Sequence, residues 1–116
     1  MKTVKLVFIL IHQLQAQYTQ IPDFSFEQKL IDLGIDSEGK NDKKILTRDI
    51  INVEELDIGF YGHPMGNGGI MDLSGIEDFV NLKVLKCGHN QILAVDISQN
   101  LKLEVFHFEY NRLTNI

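Results

Sequence analysis

Leu82-Lys83-Val84-Leu85-Lys86-Cys87-Gly88-His89-Asn90-Gln91-Ile92 and Leu103-Glu104-Val105-Phe106-His107-Phe108-Glu109-Tyr110-Asn111-Arg112-Leu113 lie 21 residues apart and match at every apolar position and at the asparagine. Val95 and Ile116 fall at the same offset, so the register runs past the two segments. A chain that repeats at this interval stacks one short strand per unit. The residues at the first, fourth and sixth positions of each unit then point into a core that only neighbouring units can close.

A period of 20 to 29 residues with the pattern LxxLxLxxNxL is the signature of a leucine-rich repeat. The expected fold class is therefore an α/β repeat: a short leucine-rich-repeat solenoid with an N-terminal helical cap. An earlier, degenerate unit begins at Val53, Leu56 and Ile58. The glycine-rich excursion over residues 59–69 follows it, longer than the usual turn, and the pattern resumes at Ile70, Leu73, Ile76, Phe79 and Leu82. This gives about three units over residues 53–116, the first irregular and the last incomplete. Asn90 and Asn111 sit at the turn leaving each strand, where a side-chain amide satisfies backbone groups that the turn leaves unpaired.

Upstream, Phe24, Phe26, Leu30, Ile31 and Leu33 recur at spacings of three and four, which predicts a helix burying one face. Asp23 or Ser25 caps its start. Gly34 stops it in a left-handed conformation, with Ile35 folding back on the last turn. Residues 36–44 are polar and read as a loop. Thr47 is expected to cap a second helix that runs through Ile50. Residues 17–52 thus form the expected cap.

The first residues read as an export signal over residues 1–16. Lys2 and Lys5 give a positive start, residues 6–11 are an unbroken apolar run, and Ala16 is the small residue before a cleavage that would leave Gln17 first. The competing reading is a buried N-terminal strand. The run is too short for a transmembrane helix, which needs about 20 apolar residues. The chain carries a net charge of −5, and without Lys2 and Lys5 there remain 9 basic against 16 acidic side chains, or −7. Nucleic acid is a poor fit to so acidic a protein, because phosphate binding needs a basic face. The single cysteine, Cys87, cannot form an internal disulfide, and the register turns it inward.

The stretch Gly75-Ile76-Glu77-Asp78-Phe79-Val80-Asn81-Leu82-Lys83-Val84-Leu85, followed by Asn90-Gln91-Ile92, resembles the internalin-type repeats of exported bacterial leucine-rich-repeat proteins. Leu85-Lys86-Cys87 with Val95-Asp96-Ile97-Ser98 looks similar to repeat proteins secreted by gut and marine bacteria. Ile21-Pro22-Asp23, Phe26-Glu27, Leu30-Ile31, Gly34-Ile35-Asp36, Leu46-Thr47 and Asp49-Ile50 are similar to the helical cap of such proteins. The resemblance covers about residues 21–116. It implies a cap-plus-solenoid fold, a secreted or cell-surface location and binding of a protein or surface ligand, and it names no ligand. The excursion at residues 59–69 departs from the family pattern. The last unit lacks a polar cap, so a fragment of a longer protein is expected, as is self-association through an open C-terminal edge.

The register places solvent-facing side chains in columns: Glu55, Val84 and Val105; then Asp57, Lys86 and His107; then Gly59, Gly88 and Glu109; then Phe60, His89 and Tyr110. Asp57, Phe60, Lys86, His89, His107 and Tyr110 are the candidate binding residues, the aromatic column being of the kind interfaces favour. His63, His89 and His107 do not converge by spacing, so no metal site is expected. The acidic loop Asp36-Ser37-Glu38-Gly39-Lys40-Asn41-Asp42 fails an EF-hand register, because Lys40 falls on a ligand position and Gly39 comes two places early. An exposed polar turn between two cap helices is expected there. No nucleophile elbow, zinc-protease or phosphate-loop motif occurs, so neither an enzyme nor a cofactor is expected. Glu54 and Glu55 face opposite sides of a strand and cannot share a proton.

Overall fold

The computed structural model describes residues 16–61 and 69–114. The export signal, apart from Ala16, lies outside the described residues, as do His63 and most of the glycine-rich excursion. In chain order the elements are β1 (Tyr18–Gln20), α1 (Phe24–Asp32), β2 (Lys44–Leu46), α2 (Thr47–Ile50), β3 (Glu55–Asp57), a 3-10 turn (Ile76–Asp78), β4 (Val84–Lys86) and β5 (Val105–His107).

Helix α1 starts and stops as its sequence dictates. Asp23 Oδ1 accepts the Phe26 N–H at 2.9 Å, satisfying one donor of the first turn. At the other end Gly34 adopts φ 76°. Its N–H reaches the Ile31 carbonyl at 2.9 Å, and the Ile35 N–H reaches that of Leu30 at 2.9 Å. This pair of bonds is a Schellman closure, which needs a left-handed residue at the position Gly34 fills. Asp23 also ties the helix to the repeats, because its Oδ2 accepts the Met71 and Asp72 N–H groups at 3.0 Å each.

The N-terminal part is not purely helical, a correction to the sequence expectation. β1 and β2 pair antiparallel with Thr19 opposite Ile45, and Ile21 N–H donates to the Lys43 carbonyl at 2.8 Å. Local periodicity does not reveal a pairing between strands so far apart in sequence, which only tertiary contact selects. Nor does Thr47 cap α2. It lies inside the helix, whose preceding residue Leu46 makes no side-chain capping bond. The Thr47 hydroxyl lies 2.9 Å from that of Thr19, which in turn donates to Asp78 Oδ2 at 2.7 Å. Thr19 has one proton, so Thr47 is the donor between the two hydroxyls.

The acidic loop is also not a plain exposed turn. Asp36 is buried, its Oδ1 accepting the N–H groups of Glu38 at 3.2 Å and Gly39 at 3.3 Å. It meets the fully buried Glu27 of α1, whose Oε1 accepts the Lys43 N–H at 2.6 Å. Burial and the neighbouring Asp36 carboxyl push Glu27 up to about 7. A carboxyl taken out of water beside another ionises reluctantly, so Glu27 holds its proton well above the usual carboxylate range.

Strands β3, β4 and β5 form one parallel sheet in that order, with Glu55, Val84 and Val105 in register, then Leu56, Leu85 and Phe106, then Asp57, Lys86 and His107. Leu56, Ile58, Leu82, Leu85, Cys87 and Ile92 are buried beneath it. They share one core with Ile21, Phe26, Leu30, Ile45 and Ile50 of the N-terminal part, and the Phe26 ring stacks on Phe79 at 6.3 Å. Gly75, at φ 106°, permits this junction. A side chain there would collide with Ile21 and come within 2.7 Å of the Gln20 carbonyl oxygen.

The asparagines act as the register predicts. Asn90 Nδ2 donates to the carbonyls of Ile58 and Cys87 at 3.0 Å each, and its Oδ1 accepts the Ile70 N–H at 2.8 Å. One unit on, Asn111 Nδ2 donates to Cys87 and Phe108 at 2.9 Å each, and its Oδ1 accepts the Ile92 N–H at 3.0 Å. A further asparagine, Asn100, went unnoticed in the sequence. It occupies the position of Phe79 one period earlier, is buried, and donates to the carbonyls of Ile76 at 2.9 Å and Phe79 at 3.1 Å.

Candidate functional site

The outward residues of the sheet lie in the columns that the register assigns. Asp57, Lys86 and His107 stand side by side across the three strands. Asp57 Oδ1 accepts the Gly59 N–H at 3.1 Å, which holds its carboxylate at the strand exit. Lys83, near the start of the β4 unit, pairs with Glu54 at 2.8 Å, and each holds the other charged.

Beyond the strands the structure brings three aromatic rings together. His89 and Tyr110 stack with centroids 4.6 Å apart and planes at 27°. Tyr61 meets His89 edge-on at 5.2 Å. His89 and Tyr110 belong to the predicted column, and Tyr61 was missed. Phe60 keeps the backbone register, its N–H donating to the Gly88 carbonyl as that of His89 donates to Glu109, and its ring is half buried. The signal for Tyr61 was Gly59 two residues before it. The Tyr61 ring lies where a side chain on Gly59 would be, so the glycine makes room for it.

Backbone conformation sets these rings apart from ordinary surface. His89 and Tyr110 both have φ 61°, a left-handed region in which a bulky residue such as tyrosine is uncommon. Such conformations cost on the order of 1–3 kcal/mol each and gather at functional sites. Both residues precede a ladder asparagine. The strain repeats at one position, and both rings remain exposed.

Carboxylates flank the rings. The Glu109 side chain lies against Gly88, where a Cβ would stand 3.5 Å from its Oε1. Desolvation, and then the charges of Asp57 and Glu109, raise the Tyr61 hydroxyl above its usual range. Cys87 lies under this face, buried, with its thiol pushed up to about 12 by burial, so it offers no thiolate at neutral pH. Among the described residues no group of three or more His, Cys, Asp or Glu is placed to hold a metal, and no helix is long and apolar enough to cross a membrane.

No protein-family model matches the chain, and no curated protein does either. Solved structures do. The functional domain of InlJ from Listeria monocytogenes, described as including a cysteine ladder, is similar over 89% of this chain with 28% identity and a TM-score of 0.67. The internalin InlF of the same species is similar over 83% of this chain with 20% identity and a TM-score of 0.66. A third Listeria internalin is similar over 88% with 22% identity and a TM-score of 0.64. This chain spans 22%, 26% and 43% of the lengths of those three. The parallel sheet, the asparagine ladder and these likenesses agree that the chain has an internalin-like leucine-rich-repeat fold.

Proposed function

We propose that this chain is an exported leucine-rich-repeat module whose β3–β4–β5 face binds a protein or a surface ligand. The observation that carries this reading is the exposed Tyr61, His89 and Tyr110 cluster, two of whose members adopt a left-handed backbone. Asp57, Lys86, His107 and Phe60 complete the proposed face. The positive start, apolar run and small Ala16 of residues 1–16 support export.

Capture of surface ligands from intact cells tests the face. The wild-type chain is compared with a Tyr61→Ala, His89→Ala, Tyr110→Ala variant and with a control at Gln99, which lies away from the face. A ligand retained by wild type and control but lost by the triple variant is expected. Equal capture by all three would sink the proposal. Mass spectrometry of the chain recovered from culture medium tests export, with Gln17 expected as the first residue.

A second reading is favoured by one observation. Leu103, Phe106, Phe108 and Leu113 occupy inward repeat positions yet are only half buried. On this reading the chain serves as the structural start of a longer solenoid. Fusing one further 21-residue unit behind Ile116 should then raise the melting temperature by several degrees. An unchanged or lower melting temperature would count against it.

A further inference from the structure

The electrostatic surroundings of the aromatic cluster indicate what kind of side chain it receives. Glu109 and Asp57 carry no ion-pair partner among the described residues, whereas Glu54 is neutralised by Lys83. Asp57 and Glu109 are the carboxylates whose charges reach Tyr61, Glu55 and Glu104 lying at the far, starting ends of their strands, and Lys86 is the opposing charge in the Asp57 column. The face is therefore acidic where the rings stand. The Tyr110 ring, 69% exposed, stacks on His89, and Tyr61 is 51% exposed. Exposed aromatic faces beside unpaired carboxylates favour a cation, which gains from the ring quadrupole and from the carboxylates together. A planar guanidinium satisfies both at once, because it stacks on a ring while its edge donates two parallel hydrogen bonds to a carboxylate.

Building on the binding reading above, we infer that Tyr61, His89 and Tyr110 with Asp57 and Glu109 receive an arginine side chain from an extended segment of a partner protein. The exposed ring of Tyr110 supplies the stacking surface, and Glu109, lying against Gly88, supplies the charge. The glycines at 59 and 88 leave room for the Tyr61 ring and the Glu109 carboxylate.

The test uses the whole chain and four short Gly/Ser peptides bearing one central arginine, lysine, citrulline or glutamate. Ring-proton NMR titration to millimolar concentration reads both site and affinity. The arginine peptide should shift the Tyr61, His89 and Tyr110 resonances and bind roughly fivefold or more tightly than citrulline, its neutral isostere. That advantage should shrink with added salt and disappear in Glu109→Gln, whose melting temperature should match wild type. Equal binding of arginine and citrulline, tighter binding of glutamate, or no shift in the three rings with any peptide would each overturn the inference. A natural ligand captured through the three rings would leave the binding face standing after such a failure. If captured ligands are also indifferent to the triple alanine variant, both ideas fall.

Discussion

The unit from Leu82 to Ile92 and the unit from Leu103 to Leu113 carry one pattern and meet two fates. In the first, Leu82, Leu85, Cys87 and Ile92 are at most 1% exposed. In the second, Leu103, Phe106, Phe108 and Leu113 occupy the same positions and remain half buried. Their strands pair in register and their asparagines make matching bonds, so local structure does not separate them. Packing does. The first unit has a neighbour on both sides, the β3 unit and the β5 unit, while the second packs on one side only among the described residues. Phe106 and Phe108 offset part of this by stacking on each other at 4.8 Å. Burial in a repeat fold is thus contributed by neighbours rather than encoded by a unit alone.

Core truncation tests that contrast most strongly. Leu85→Ala should cost about 3 kcal/mol, and Phe106→Ala only about 2 kcal/mol although it removes the larger side chain, because its cavity opens to water. Urea denaturation midpoints check both. Equal or inverted losses would show that the last unit is closed in solution by something else, self-association being the first thing to examine by sedimentation.

The ladder asparagines should follow the same order at smaller size. Asn90→Leu leaves the Ile70 N–H and the Ile58 carbonyl without their partner in a buried place, while the Cys87 carbonyl keeps its bond from Asn111, at a cost of about 2–3 kcal/mol. Asn111→Leu should cost less, about 1–2 kcal/mol, since water reaches the half-buried Phe108 carbonyl it abandons. The Cys87 carbonyl keeps its bond from Asn90, leaving the Ile92 N–H as the one buried group to lose its partner. Thermal unfolding of the two variants side by side measures the gap.

The pH dependence separates the repeats from the N-terminal part. Glu27 is raised in the folded state from 4.5 to about 7, so the folded form holds a proton that the unfolded chain gives up earlier. Its contribution is therefore full below about pH 4.5 and is lost as pH rises through 7. The melting temperature of Glu27→Gln relative to wild type should rise across that window. A constant difference would mean that the Glu27 carboxyl is not raised in the folded protein. The smallest effect is expected at the exposed Lys83–Glu54 pair, where Lys83→Ala should leave the melting temperature within error.

Strand register, the inward turn of Cys87, the ladder role of Asn90 and Asn111, and the Gly34 helix stop were all legible in the sequence. Each depends on spacing or on one residue's conformational preference, and those are local properties. The sequence fell short where two distant segments had to meet. Thr19 and Ile45 pair across a helix and a loop, Glu27 and Asp36 come together out of water, and Tyr61 meets His89 edge-on. Asn100 was hidden because its position one period earlier is a phenylalanine, so no pattern marked it. The repeat sequence thus determined which side chains face inward and which line the outer columns. Only the tertiary structure decided how deeply each is buried and which charges lie beside the rings, because both depend on atoms contributed by other parts of the chain.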